Sequence, residues 1–370
     1  MGFVARIIWS PLLPTIEKDL GISHTTAGSL FLYVSFGYMI GLLGSGFISN
    51  RITHRRAIIL SAVIVGGALM WTAFWKGFWA LQSGLFLLGI GGGFYLPSGV
   101  STITALVQPR NWGKALAVHE LAPVLAFISS PLASELLLRF FSWRGVVSIV
   151  GIGSLLAGIA FVFFGRGGEY PGEQPNLKSA KLLFSEPSFW IMAVLFCLAV
   201  SSTIGIYTMI PLYLVVDHGM DRSFVNFLFS LSRLPTIGTI FIAGWARDRF
   251  GSKKTLAWVF FLGCFATTTM GIAPASVVIA IMFVQPLIAS SFFPAGFSAL
   301  SGIGPPSVRN ISVSFTLPIS MTIGGGVIPT WIGYMGDRGS FGFGIAIAGS
   351  LLLIGAILAR FLKIEGEAHE

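Results

Sequence analysis

Apolar residues run through this chain in long unbroken blocks. Residues 25–50, 57–75, 77–109, 145–165, 188–216, 310–336 and 339–359 contain no Asp, Glu, Lys or Arg. Each block can cross a hydrocarbon core as a helix, which takes about 20 residues. Two further blocks, 115–138 and 223–246, are spans interrupted by a few ionisable residues. The stretch 255–308 is charge-free throughout and must fold back on itself near Ala273-Pro274-Ala275-Ser276. Adding the segment from Met1 to Ile16, the pattern predicts twelve spans. No barrel-like alternation of polar and apolar residues occurs, so helices are the way this backbone satisfies its hydrogen bonds in lipid. The predicted class is all-α, a polytopic membrane protein of twelve transmembrane helices.

Composition agrees. The 370 residues are 54% hydrophobic and 10% charged, with a mean hydropathy of +0.85, more apolar than a soluble domain that must face water. The net charge of +9 would suggest nucleic acid if it lay on one face, but the basic residues are scattered through short loops. If the loops after spans 2, 4, 6, 8 and 10 and the C-terminus face the cytoplasm, they hold 15 of the 23 Lys and Arg, the opposite loops 6 and the spans 2. That bias follows the positive-inside rule. It predicts an integral protein of the cytoplasmic membrane with its C-terminus inside, and it argues against nucleic acid as a partner. Cys197 and Cys264 both fall in spans, where packing is their expected role. The N-terminus lacks the basic flank and small-residue cleavage site of a removable signal peptide. Neither a metal-ligand cluster nor a nucleophile with a neighbouring base stands out, so no enzyme, metal or cofactor is predicted.

The chain also repeats itself. Gly46-Phe-Ile-Ser-Asn50-Arg51, ending in Arg55-Arg56, matches Gly244-Trp-Ala-Arg-Asp248-Arg249, ending in Lys253-Lys254, at an offset of 198. Pro131 matches Pro329 at the same offset, while Pro97 matches Pro294 and Pro14 matches Pro211 at 197. Landmarks this widely spread indicate duplication. The only long polar segment, 166–187, then reads as a cytoplasmic linker between bundles 1–165 and 188–370. The same register predicts that the first helix lacks about eleven residues at its N-terminus, since 188 − 198 falls ten positions before residue 0.

At these loops the chain resembles the major facilitator superfamily, whose signature between helices 2 and 3 is Gly, three residues, Asp, Arg, a spacer, Gly and a basic pair. The second copy matches fully, with Gly244, Asp248, Arg249, Gly251, Lys253 and Lys254. The first keeps Gly46, Arg51 and Arg55 but has Asn50 for the acid and Thr53 for the glycine. Trp143-Arg144 is similar to the pair usual at the start of helix 6. The resemblance implies two six-helix bundles that rock around a central site, gating loops at these motifs, and a monomer. With Asn50 uncharged, the acidic lock of the first loop is expected to be lost.

Charge inside a membrane helix is costly and marks candidate function. Arg233 lies mid-way along span 8 with no acid three or four residues away. Arg6 aligns with Ile204 in the middle of span 7. A carboxylate is an attractive partner for either guanidinium, which binds it in a fork, and organic-anion members of the resembled family carry arginine at similar depths. Internal ion pairing, or snorkelling of Arg6, is the structural alternative. His119 and Glu120 are candidates for taking up and releasing a proton, against a purely structural pairing with Lys114, Arg6 or a backbone carbonyl. Tyr207, Tyr95 and Trp9 are candidate cavity aromatics. The predicted function is secondary transport of a small organic anion, driven by proton symport or anion exchange. The alternatives are efflux of an apolar or cationic compound, and a transporter-like solute sensor.

Overall fold

The computed structural model describes residues 1–172, 177–303 and 306–362, and no strand occurs among them. The predicted cytoplasmic tail, 363–370, and part of the predicted linker, 173–176, lie outside the described residues. Two compact units form, Met1–Ile22 with Leu30–Pro175, and Ser23–Ser29 with Asn176–Glu370.

The first unit is built from α1 (Gly2–Ile7), α2 (Trp9–Leu20), most of α3 (His24–Ile52), α4 (His54–Phe74), α5 (Phe78–Leu106), α6 (Trp112–Leu138) and α7 (Trp143–Phe164). Glycines set how closely these helices approach. A Cβ on Gly93 of α5 would stand 2.6 Å from the Leu42 backbone nitrogen of α3, a separation real side chains do not adopt. Small residues at such crossings replace the hydrophobic drive that lipid removes. Asp19, at the end of α2, accepts hydrogen bonds from the Trp143 indole at 2.8 Å and from Arg144 at 2.7 Å, so the Trp-Arg pair ties the start of α7 to α2.

The second unit contains α8 (Leu177–Phe184), α9 (Pro187–Val200), α10 (Ile206–Val216), α11 (Arg222–Leu231), α12 (Thr236–Ile272), α13 (Ala275–Ser290), α14 (Phe292–Leu300), α15 (Pro306–Thr322), α16 (Ile328–Asp337) and α17 (Phe341–Leu358). Short π-helical segments join α9 to α10 over Ser201–Gly205 and α15 to α16 over Ile323–Val327. Wide turns of this kind leave carbonyls without their usual partners. Gln285 of α13 meets one of them, donating to the Ser202 carbonyl and hydroxyl, each at 2.9 Å. Ser23–Ser29 belongs to this unit because Asp337, at the end of α16, accepts the His24 N–H at 2.7 Å and the Thr25 N–H at 2.9 Å. The carboxylate thereby caps the start of α3, where helical N–H groups otherwise lack acceptors.

All twelve predicted spans are present as helices, and ten stretches of the described residues are long and apolar enough to cross a membrane. The remaining two, spans 1 and 8, are each interrupted, as span 10 also is at Ser291 between α13 and α14. Span 1 breaks at Ile8, between α1 and α2, three residues before Pro11. Span 8 breaks over 232–235, between α11 and α12, at Pro235. A proline lacks the N–H donor and crowds the carbonyl four residues before it, which explains both interruptions.

The two loop motifs share one backbone shape despite their different residues. Gly251 has φ 78° and ψ 162°, and Thr53, its counterpart, has φ 80° and ψ 157°. Thr53 is the only non-glycine residue with positive φ among the described residues. A β-branched side chain there costs about 1–3 kcal/mol. Its hydroxyl recovers little, accepting the Arg56 N–H at 3.5 Å. Thr53→Gly is expected to stabilise the protein by about 1 kcal/mol net of the unfolded-state entropy of glycine, measured as a higher melting temperature in detergent. An unchanged or lower value would show that the loop holds no strain.

Candidate substrate site

In the first unit the site begins at Arg6, on the short helix α1. Its guanidinium carbon lies 4.3 Å from the centre of the Tyr38 ring of α3 and 4.8 Å from that of Phe3. Cations over aromatic faces gain roughly 0.5–2 kcal/mol, more as water is excluded. Gly92 of α5 leaves room for this arrangement, since a Cβ there would come within 3.3 Å of Arg6 Cδ and 3.5 Å of the Tyr38 ring. Arg6 Nε is buried without a hydrogen-bond partner, and no carboxylate pairs with Arg6 among the described residues. Trp9 is buried nearby in sequence, but its indole N–H donates to the Ala5 carbonyl at 3.0 Å, supporting the backbone next to the Ile8 break.

The second polar group of this unit links α5 and α6. Tyr95 Oη and His119 Nε2 are 3.2 Å apart with their rings stacked, and His119 Nδ1 is 3.2 Å from Glu120 Oε1. Glu120 exposes 61% of its side chain and His119 only 11%, while Tyr95 is 39% exposed, so a largely covered imidazole bridges an accessible phenol and an accessible carboxylate. Neighbours about 100° apart on a helix meet because the glutamate reaches around to the imidazole.

In the second unit Arg233 occupies the break in span 8. The backbone there runs in short i to i−3 turns: Arg233 N–H donates to the Ser230 carbonyl at 3.1 Å and Thr236 N–H to that of Arg233 at 3.1 Å. Its guanidinium carbon sits 4.5 Å from the centre of the Tyr207 ring of α10, which is itself stacked on Phe229 at 4.2 Å. Tyr207 is fully buried and Arg233 is 6% exposed.

Each unit therefore places an arginine over a tyrosine drawn from its first two spans, with the roles exchanged. The first unit has the cation on span 1 and the ring on span 2; the second has the ring on span 7 and the cation on span 8. Comparison at one offset could not find this, because it sets Tyr38 against Thr236 and Arg233 against Ser35. Tyr38, Phe3, Phe229 and Gln285 are the residues that sequence reasoning passed over. Pro235, beside Arg233, was the available signal for the break.

The loop residues engage their own surroundings. Asn50 donates to the Gly172 carbonyl at 2.7 Å, and Arg55 donates to the carbonyls of Gly165 at 2.6 Å and Val162 at 2.9 Å. Arg55 thus closes the C-terminal end of α7, where a cation is favoured. Its 3.9 Å pair with Glu169, which is 77% exposed, adds little. In the second copy Asp248 pairs with Arg247 at 2.8 Å, and Arg247 also donates to Ser298. Arg249 lies near the Trp245 and Phe250 rings, about 6 Å from each centre.

These features define a polytopic helical membrane protein with intramembrane cations, and comparison with known proteins gives its family. The chain matches the Major Facilitator Superfamily over residues 1–232 and 202–370, and it belongs to that superfamily. It is similar to the gentisate transporter of Corynebacterium glutamicum, 23% identical over 98% of this chain and 86% of that one. It is likewise similar to the probable sulfoacetate transporter SauU of Cupriavidus necator, 22% identical over 98% and 91%. The inner membrane metabolite transport protein YdjE of Escherichia coli is 35% identical, but over 33% of this chain and 27% of that protein. Among solved structures, a D-xylose–proton symporter superposes with a TM-score of 0.80 at 15% identity, covering 99% of this chain and 96% of that one. The protein is accordingly an integral membrane transporter of a small solute and not an enzyme.

Proposed function

We propose that this transporter carries a small organic anion, a carboxylate, by alternating access coupled to proton symport or anion exchange. The observation that carries the reading is Arg6, held within a membrane helix by the rings of Phe3 and Tyr38 and paired with no carboxylate among the described residues. Arg6 is partly buried with its Nε cut off from water, and a cation so placed is costly unless something compensates it, as a carboxylate in a forked hydrogen-bonded pair does. Arg233 over Tyr207 offers a second cation of the same construction. The names of the gentisate and sulfoacetate transporters accord with an anionic solute.

The Tyr95–His119–Glu120 chain supports proton coupling, because an imidazole hydrogen-bonded on both nitrogens can pass a proton between a carboxylate and a phenol. In this reading the motif loops around Asn50 and Asp248 gate the movement of bundles 1–165 and 188–370. The protein works as a monomer in the cytoplasmic membrane, with the 166–187 linker and the C-terminus inside. Uptake of labelled gentisate and sulfoacetate into proteoliposomes tests the proposal. Stimulation by an inward proton gradient supports symport, and stimulation by internal anion supports exchange. Absence of uptake of either anion under both conditions would count against it.

A further inference from the structure

We propose that Tyr38 is a substrate-recognition residue, its ring positioning Arg6 and its hydroxyl donating a second hydrogen bond to the same bound carboxylate. The inference rests on the reading of Arg6 as the anion-binding cation and adds a residue and a donor to it. Three observations within the first unit support it. Tyr38 is 3% exposed, yet the described residues offer its hydroxyl no hydrogen bond. The Tyr38 hydroxyl oxygen itself is not fully covered, so a bound solute can reach it and supply the acceptor it lacks. Its ring is also the nearer of the two faces that hold the Arg6 guanidinium, at 4.3 Å against 4.8 Å for Phe3. Finally, the glycine at position 92 keeps α5 from filling the space beside both side chains.

The chemistry fits a carboxylate and disfavours an amide. A carboxylate offers about four acceptor sites and no donors, so it can take the guanidinium fork and a phenol together. An amide has one acceptor oxygen and turns its NH2 toward donors. Tyr38 thereby contributes to choosing the ionised form of the solute as well as to binding it. Phe3 supplies a ring without a hydroxyl, so it can steady Arg6 but cannot share in recognition.

Substitutions separate the two roles. Tyr38→Phe keeps the ring and removes the hydroxyl, while Tyr38→Leu removes both. In proteoliposomes carrying gentisate as the probe, Tyr38→Phe is expected to raise KM about tenfold with the maximal rate within twofold of wild type, the size expected for one lost hydrogen bond to a charged group. Tyr38→Leu should raise KM further and lower the maximal rate, because the cation is no longer held. Gentisamide, tested as an inhibitor, should gain on gentisate in the Tyr38→Phe protein. A KM unchanged in Tyr38→Phe would overturn the hydroxyl's role, and a KM unchanged in Tyr38→Leu would overturn the inference whole. A loss of rate with no change in KM would indicate a purely structural side chain and would also overturn it. Arg6→Ala, measured alongside, keeps the two ideas apart: if it alone leaves gentisate uptake unchanged, the anion reading fails, and if it alone abolishes uptake, only the Tyr38 inference is lost.

Discussion

Replacing Arg6 with alanine is expected to lower the efficiency of gentisate uptake about 100-fold. The estimate follows from the kind of interaction removed: a forked, charge-assisted pair in a water-poor site is worth about 3 kcal/mol, and each 1.4 kcal/mol is a factor of ten. Folding should be little disturbed. The guanidinium meets the protein through the rings of Phe3 and Tyr38 rather than through an ion pair among the described residues, so its removal forfeits roughly 0.5–2 kcal/mol of cation–π contact. Arg6→Lys keeps the charge and loses the planar fork, and it should fall between the two, about tenfold down. Uptake kinetics together with the melting temperature in detergent check the claim. A large loss of transport at an unchanged melting temperature is the expected pattern. Equal losses in both, or none in uptake, would remove Arg6 from the site.

Gly324→Val gives the largest expected effect on stability. The π-helical segments of spans 7 and 11 meet backbone to backbone, and a Cβ on Gly324 would stand 2.6 Å from the Ser201 nitrogen and 2.7 Å from the Cys197 carbonyl oxygen. A Cβ on Gly205 would run into the Gly324 carbonyl oxygen in turn. Neither neighbour is a flexible side chain that can swing away, so the helices themselves must part. Overpacking of ordinary cores costs about 1–3 kcal/mol, and displacement of paired backbones lies at or beyond the top of that range. The separation would also pull Ser202 from Gln285 and leave a buried amide without its partner. The expected result is failure to accumulate as a monodisperse protein, or a melting temperature lowered by more than about 5 °C. Gly67→Ala is the control, because nothing lies within 4 Å of a Cβ built there.

The sequence and the fold agree where the physics is one-dimensional. Hydrocarbon thickness sets the span length, and charge-free blocks therefore marked the helices that the structure contains. The loop motif was equally readable, including the departures at Asn50 and Thr53, because each is a local identity. What those departures do was not readable. Thr53 keeps the left-handed backbone of Gly251, and Asn50 turns to the Gly172 carbonyl, a partner 122 residues away. Proline content showed where helices could bend, yet Pro11 and Pro235 break theirs while Pro97 stays within α5. Neighbouring helices that re-satisfy freed groups decide between those outcomes.

The candidate site was half legible for a related reason. An arginine in an apolar span is conspicuous in any alignment of the chain with itself, and both Arg6 and Arg233 stood out. Their aromatic partners did not, because rings are abundant in these helices and most face other rings or the surroundings. The 33 phenylalanines and 7 tyrosines give no signal by type alone. Exchange of the cation and the ring between the two spans of each half then hid the correspondence from a fixed offset. The His119–Glu120 pair was visible as neighbours in sequence, but Tyr95, 24 residues away, joins them only through the packing of α5 on α6.

The central claim is that the transported solute is recognised through its negative charge. It is tested most directly by measuring wild-type uptake of gentisate against gentisamide, the same ring with the carboxylate replaced by a neutral amide, in proteoliposomes under identical gradients. The account predicts saturable uptake of the carboxylate and little of the amide, with excess unlabelled carboxylate competing and excess amide not. Equal transport of the amide, or preferential transport of an apolar cation, would contradict it.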